Sequence, residues 1–204
     1  MTATAPAPTM LAPAIPASET PVRLSREQYY RLVATGVWGE QDPELVDGIL
    51  VERMSAASPL HSFVLEELFK LLGAVLSASG QDANWYVRSE KAIDEPNRTT
   101  MPDIALVRGS NYDYITANPT PDQVAMIAEV ALTTKAKDLA RAAGYGCSGV
   151  PSFIVVDVVG RSVIQFSKPT ADGYASEQTV DAIEVELDGV RIGSIRSADL
   201  FPPV

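Results

Sequence analysis

One cysteine, Cys147, and one histidine, His61, stand among 204 residues. A single cysteine cannot close an internal disulfide, and there is no second thiolate for a zinc site, so a reducing, cytoplasmic setting is expected. As a nucleophile Cys147 would need His61 as its base, and the two lie in distant segments. Basic residues are scarce as well: 16 Lys and Arg against 26 Asp and Glu leave a formal net charge of −10. That balance argues against a broad cationic footprint on nucleic acid, because non-specific phosphate binding is carried by Lys and Arg. A nucleic-acid partner would need a local basic patch or metal ions. No apolar stretch approaches the roughly 18 to 20 residues that cross a bilayer, so no membrane span is expected. The opening "MTATAPAPTMLAPAIPASET" lacks a basic n-region, and prolines interrupt its apolar runs. It reads as a disordered Ala/Pro-rich tail over 1–20 rather than a secretory signal, ahead of one domain over 21–204. Aromatics make up 7% of the chain and are scattered, so Trp38, Trp85 and the tyrosines supply no stacking platform for single-stranded nucleic acid.

What is present is a globular composition, 46% hydrophobic and 21% charged, with core enough for one domain. "LSREQYYRLVATG" opens with Ser25 and Gln28 in capping-box spacing and runs at helical periodicity to Gly36. Asp47-Gly48 divides two short apolar runs in "ELVDGILVERM" and predicts a tight hairpin, with Glu44 at its start. In "SPLHSFVLEELFKLLGAVLSASG", Ser58 is the N-cap and Pro59 the first helical residue, and Val64, Leu65, Leu68, Leu71, Leu72, Val75 and Leu76 fall on one stripe before Gly80. "WYVRSEKAI", "PDIALVR" and "MIAEVAL" read as strands, the last two too continuously apolar to have a wet face. "TTKAKDLARAAGYGCSGV" predicts a helix capped by Thr133 or Thr134. "PSFIVVDVV" and "SVIQFSK" predict a hairpin about Gly160-Arg161, with further strands in "YASEQTV" and "AIEVELDGVRI". This order gives an α/β or α+β domain with a mixed central β-sheet flanked by helices.

Glu129 is the anomaly, an acid inside an apolar strand. A buried carboxylate without a partner costs several kcal/mol, roughly, even after relaxation. Ile127, Glu129 and Ala131 share one face of their strand. If that strand pairs with the one that Asp103 begins, the two acids come within reach of one cation. Two adjacent acids would otherwise repel until one took up a proton. An Asp/Glu pair without His or Cys favours a hard ion such as Mg²⁺, which needs one or two carboxylates besides water and phosphate. The structural alternative is that Asp103 caps a turn beside Pro102 while Glu129 pairs with a nearby Lys or Arg. His61, in the first turn of its helix, has either a role in proton transfer or a satisfied, half-buried one, and the helix N-terminus there favours neutral imidazole. Tyr145 and Asp157 read as packing and as a strand-end turn residue.

"ELVDGILVERMSAASPLHS", "MPDIALV", "IAEVALTT" and "YGCSGVPSFIVVD" occur in an order that resembles the Uma-two family, also called domain of unknown function 820. That family looks like a restriction-endonuclease branch of the PD-(D/E)XK nuclease superfamily. The resemblance covers roughly residues 25 to 200. It implies a restriction-endonuclease-like sheet, Pro102-Asp103 as "PD", Glu129 as "(D/E)", Glu44 as a third acid near the metal, Mg²⁺ or Mn²⁺ as cofactor, DNA as substrate and a homodimer. The "SPxH" pattern recurs in the family and adds His61 to the site. Where the superfamily keeps its lysine stands Ala131. The resemblance moves that lysine on to the following helix, where counting back from Tyr145 reaches Arg141, with Lys135 and Lys137 as substitutes. A guanidinium stabilises negative charge but does not give up a proton, its pKa lying above about 12.

These readings together predict a metal-dependent DNA endonuclease in which Asp103 and Glu129, with Glu44, hold the ion, and Arg141, Lys135, Lys137 and His61 serve the reaction. Ala131 and Arg141 leave open a second reading, a nuclease fold that binds without cleaving. A third, a small structural or regulatory oligomer, needs only strand edges and hairpins.

Overall fold

The computed structural model describes residues 20, 22–39, 42–52, 58–132 and 135–203, with the side chains of Lys135 and Lys137 outside that description. The predicted tail and the Thr133 or Thr134 cap lie outside the described residues. Three helices and twelve strands follow one another along the described chain. Helix α1 (Arg26–Val33) leads to the hairpin β1 (Glu44–Val46) and β2 (Ile49–Val51), then to the long α2 (Pro59–Ala78). Strands β3 (Trp85–Ser89), β4 (Ile93–Glu95), β5 (Arg98–Thr100), β6 (Ile104–Arg108) and β7 (Val124–Ala131) precede α3 (Lys135–Cys147). The chain then runs through β8 (Ser152–Asp157), β9 (Ser162–Thr170), β10 (Gly173–Val180), β11 (Ala182–Leu187) and β12 (Val190–Arg196).

The central sheet has six strands in the order β10-β9-β8-β7-β6-β3. Every pair is antiparallel except β7 with β8, which run parallel because α3 carries the chain back across the sheet. The sheet is therefore mixed, as the element order predicts. A four-stranded sheet, β2-β1-β5-β4, and the β11-β12 hairpin lie outside it.

Alternation along the central strands assigns each side chain to one of two cores. Val64, Leu68, Leu72 and Leu76 of α2 meet Leu106, Met126, Ala128, Val130, Ile154 and Val156 on one face. On the opposite face Ala105, Val107, Ile127, Ala131, Phe153 and Val155 meet Ala142 and Tyr145 of α3. Glu129 falls between Ile127 and Ala131 and so belongs to the α3 face. All eight residues of β7 are buried.

Local signals hold at several element ends. Ser25 forms a capping box with Gln28, and the Ser58 hydroxyl accepts from the His61 backbone N–H. Asp47 and Gly48 both take positive φ, as the tight β1-β2 turn requires. Two expectations are corrected. "WYVRSEKAI" is not one strand: β3 ends at Ser89, Glu90 enters the left-handed region at φ 51°, and the chain turns into a separate β4-β5 hairpin. "AIEVELDGVRI" is likewise two strands, because Asp188 and Gly189 both adopt positive φ and fold it into β11-β12.

The β4-β5 hairpin matters because it fixes the end of α3. Glu95, fully buried, accepts from the Thr100 hydroxyl at 3.1 Å and from the Ser148 hydroxyl, just past α3, at 2.5 Å. Burial is the main cause that pushes the Glu95 carboxyl above its ordinary 4.5, against the Ser148 hydrogen bond, the Arg98 charge and the Thr100 hydroxyl.

Two outcomes follow from this packing. Leu68→Ala empties a fully buried position of α2 and should lower the unfolding free energy in denaturant titration by about 2–5 kcal/mol. For Glu95 the folded chain keeps its proton to higher pH than the unfolded chain, so the stability this provides is complete below about pH 4.5 and lost as pH rises through the folded-state value. Relative to Glu95→Gln, the wild type should therefore lose stability as pH rises above 4.5, and parallel profiles of the two proteins would refute the shift.

Candidate active site

Three elements deliver the acids. β1 supplies Glu44, the residue before β6 is Asp103, and Glu129 comes from β7. β6 and β7 pair with Ile104 opposite Ala128, and one further step along that register sets Asp103 opposite Glu129. Asp103 Oδ2 accepts the backbone N–H of Val130, the neighbour of Glu129, at 2.7 Å. A side-chain oxygen thus ties the end of β6 to β7 and holds the carboxylate at that corner of the sheet. On its other flank, the Glu90 N–H donates to the Asp103 carbonyl at 3.1 Å, which brings Glu90 to the same sheet end.

Arg141 meets these acids from α3. Its Nη1 donates to Glu129 Oε1 at 2.9 Å and its Nη2 to Glu44 Oε2 at 2.5 Å, with a longer Nη1 contact of 3.4 Å to Glu44 Oε1. Glu44 Oε1 also accepts the Met101 N–H at 2.9 Å, so both Glu44 oxygens are engaged. The Glu44 side chain is 1% exposed, that of Glu129 7% and that of Arg141 17%. Asp138, Arg141 and Tyr145 recur at helical spacing, and α3 points all three at the sheet. Asp138 is buried, and the Tyr145 hydroxyl donates to Glu129 Oε1 at 3.4 Å.

His61 reaches Asp103 from the start of α2, its Nε2 lying 3.4 Å from Asp103 Oδ2. Its Nδ1 is buried without a hydrogen-bond partner among the described residues.

The electrostatics are those of crowded carboxylates. Burial pushes the Glu129 carboxyl up to about 8, and Asp103, Asp138 and Glu44 add to the push, while Arg141 pulls the other way. Burial wins. Against its own burial, Glu129, Tyr145 and Glu44 hold the Arg141 guanidinium firmly in its charged form. The Tyr145 hydroxyl is raised well above its usual range by burial and then by Glu129. The His61 imidazole is raised, first by its hydrogen bond to Asp103 and then by the charges of Asp103, Glu90 and Asp138, against its desolvation. The helix N-terminus alone predicts the opposite direction, and the adjacent acids outweigh it.

The family model described as "Uma2: Putative restriction endonuclease" matches residues 26–193. The chain belongs to the Uma2 family. Its fold is similar to the crystal structure of a "putative nuclease belonging to DUF820" from Anabaena variabilis, with a TM-score of 0.65 over 89% of this chain and 98% of that chain, at 14% identity. At that identity the likeness concerns the fold. No curated protein matches the chain.

In this Uma2 chain the predicted residues divide into three sets. Glu44, Asp103, Glu129, Arg141 and His61 converge at one end of the central sheet through the contacts above. Lys135 and Lys137 lie in the first turn of α3, their side chains outside the described residues. Ala131 is fully buried two residues beyond Glu129, where no charge stands. Tyr145, predicted to be packing alone, also touches Glu129, and Asp138 and Glu90 add acids that sequence reasoning did not single out. Asp157 keeps its turn role, accepting the Gly160 N–H at 2.8 Å. The 138-141-145 spacing was the available signal for Asp138 and Tyr145. For Glu90 there was none, because its approach depends on the β3-β6 register.

Whether a hard divalent cation fits can be judged from the donor set. Among the described residues no group of three His, Cys, Asp or Glu side chains is arranged to hold a metal ion. Asp103 and Glu129 nevertheless offer all-oxygen donors from adjacent strands, and Asp103, Asp138 and Glu44 add negative charge around Glu129. Mg²⁺ is commonly held by one or two carboxylates with water and phosphate completing its shell. The pair has the donor chemistry that such an ion takes.

Arg141→Met would leave Glu44 and Glu129 buried without their guanidinium. Removing one partner of a buried ion pair costs about 3–5 kcal/mol, and denaturant unfolding of the metal-free variant should show a loss of that order.

Proposed function

We propose that this chain is a metal-dependent endonuclease that hydrolyses phosphodiester bonds in DNA. The observation that carries the reading is the tie between Asp103 and the backbone beside Glu129, with Arg141 and His61 converging on the same two acids. In this reading Asp103 and Glu129 hold Mg²⁺ or Mn²⁺, with Glu44 beside them. The ion, when bound, supplies neutralising charge at the scissile phosphate and an acidified water. Arg141 turns its guanidinium toward the charge that develops on the phosphorane, a task that needs no proton transfer and therefore suits a group that stays protonated. His61, oriented by Asp103 through Nε2, stands where a proton can be held or passed. Lys135 and Lys137 sit early on α3, and in this reading they supply local positive charge in a chain of net charge −10. A cytoplasmic homodimer is part of the same proposal, with the partner surface left to the strand edges.

A second reading has its own observation. Ala131 replaces a lysine, and the arginine that takes over is pinned by two buried glutamates, so the chain could bind nucleic acid through this fold without cutting it.

Two measurements separate these readings. Calorimetric titration with Mn²⁺ should show binding to the wild type that Asp103→Asn weakens at least tenfold, and a wild type indifferent to metal would remove the nuclease reading. Plasmid DNA should be nicked by the wild type in Mg²⁺ or Mn²⁺ and left intact by Glu129→Gln. Metal binding without nicking would favour the non-cleaving alternative, and nicking that survives both substitutions would place the activity elsewhere.

A further inference from the structure

Glu44 has two candidate roles, and the contacts favour one. A carboxylate that ligates metal must turn at least one oxygen toward the ion. Here Glu44 Oε1 takes the Met101 N–H at 2.9 Å and Glu44 Oε2 takes Arg141 Nη2 at 2.5 Å. The backbone bond fixes the rotamer, and the guanidinium fills the remaining oxygen. Arg141, in turn, divides its fork between Glu44 through Nη2 and Glu129 through Nη1 at 2.9 Å. Glu129 Oε1 already receives Arg141 and the Tyr145 hydroxyl. Asp103 takes no bond from Arg141, and its Oδ2 faces Val130 and His61 instead.

Resting on the metal reading above, we propose that Glu44 is the positioning residue of Arg141 rather than a metal ligand, and that Arg141 competes with the divalent cation for Glu129. One guanidinium serves two buried carboxylates. A cation arriving between Asp103 and Glu129 must draw Glu129 away from Nη1. Glu44 makes that exchange possible, because it keeps Nη2 and offers Oε1, already 3.4 Å from Nη1, as the new partner. Without Glu44 the whole guanidinium would fall on Glu129. Glu44 thus acts on metal affinity only through Arg141, and Arg141 lowers that affinity.

The test is a double-mutant cycle on the full chain, read by Mn²⁺ calorimetry and by the Mn²⁺-induced rise in melting temperature, neither of which depends on cleavage. Arg141→Gln should bind Mn²⁺ at least tenfold more tightly than the wild type and gain more melting temperature from it. Glu44→Gln in the wild-type background should bind several-fold more weakly. Glu44→Gln added to Arg141→Gln should change nothing further. If Glu44→Gln weakens binding by the same factor in both backgrounds, Glu44 is a ligand and the proposal falls. If Arg141→Gln binds no more tightly than wild type while Asp103→Asn still abolishes binding, the competition is refuted and the metal site stands. If none of the variants binds Mn²⁺, or if Asp103→Asn leaves the affinity unchanged, the metal reading fails and carries this proposal with it. Should Arg141→Gln not fold, Arg141→Lys replaces it: a compact ammonium lacks the two-armed fork, so its Mn²⁺ affinity should rise above wild type, and an unchanged or lower value overturns the proposal.

Discussion

The buried ion triad of Glu44, Arg141 and Glu129 is the interaction that organises the rest. Two acidic side chains with almost no solvent are reached here by one cation, and the guanidinium is the side chain shaped to do so with separate N–H arms. This contact joins three parts of the chain that have little else in common: the first hairpin, the heart of the central sheet and the helix that crosses it. The hydrogen bonds from Met101 to Glu44 and from Val130 to Asp103 show the backbone taking part in the same arrangement.

Such an arrangement is poorly suited to stability for its own sake. Apolar residues of equal volume in place of a buried ion network are often neutral or stabilising, and this chain is otherwise rich in them: the α2 face is a continuous apolar core. Acids are concentrated at one sheet end on the α3 side, where Glu129 is raised by burial and then by its acidic neighbours, and His61 by Asp103. Perturbed titration, burial and convergence at one place are the pattern that chemistry leaves in a fold. The scarcity of positive charge elsewhere sharpens the contrast.

Much of this was legible in the sequence, for identifiable reasons. Continuous apolar runs marked β6, β7 and β8, the capping residues and heptad-like stripe marked α2, and Asp47-Gly48 marked its turn. Glu129 stood out because an acid in such a run must be compensated, and Arg141 was reached only through the family resemblance, which moves the lysine position on to α3. The β4-β5 hairpin was missed because "IDEPNRTT" carries one large apolar residue, Ile93, and its strands are defined by pairing rather than pattern. The direction of the His61 shift was missed because it depends on Asp103, 42 residues away. Asp138 and Tyr145 show the difference between a face and a role: helical spacing places them together, but only the packing of α3 on the sheet reveals what they meet.

The lone parallel pair in the central sheet gives α3 the task of an indexing shaft. Strand β7 ends in the acid-bearing corner, and β8 starts again from the far edge, so the helix between them must span the sheet with a fixed rotation. Each residue added or removed within α3 ahead of Arg141 would turn the rest of that shaft by about 100°, carrying Arg141 off its two acids. Evolutionary drift in length can be absorbed by the outer hairpins, where strands merely grow or shrink. At this crossover the count of residues decides where Arg141 meets Glu44 and Glu129.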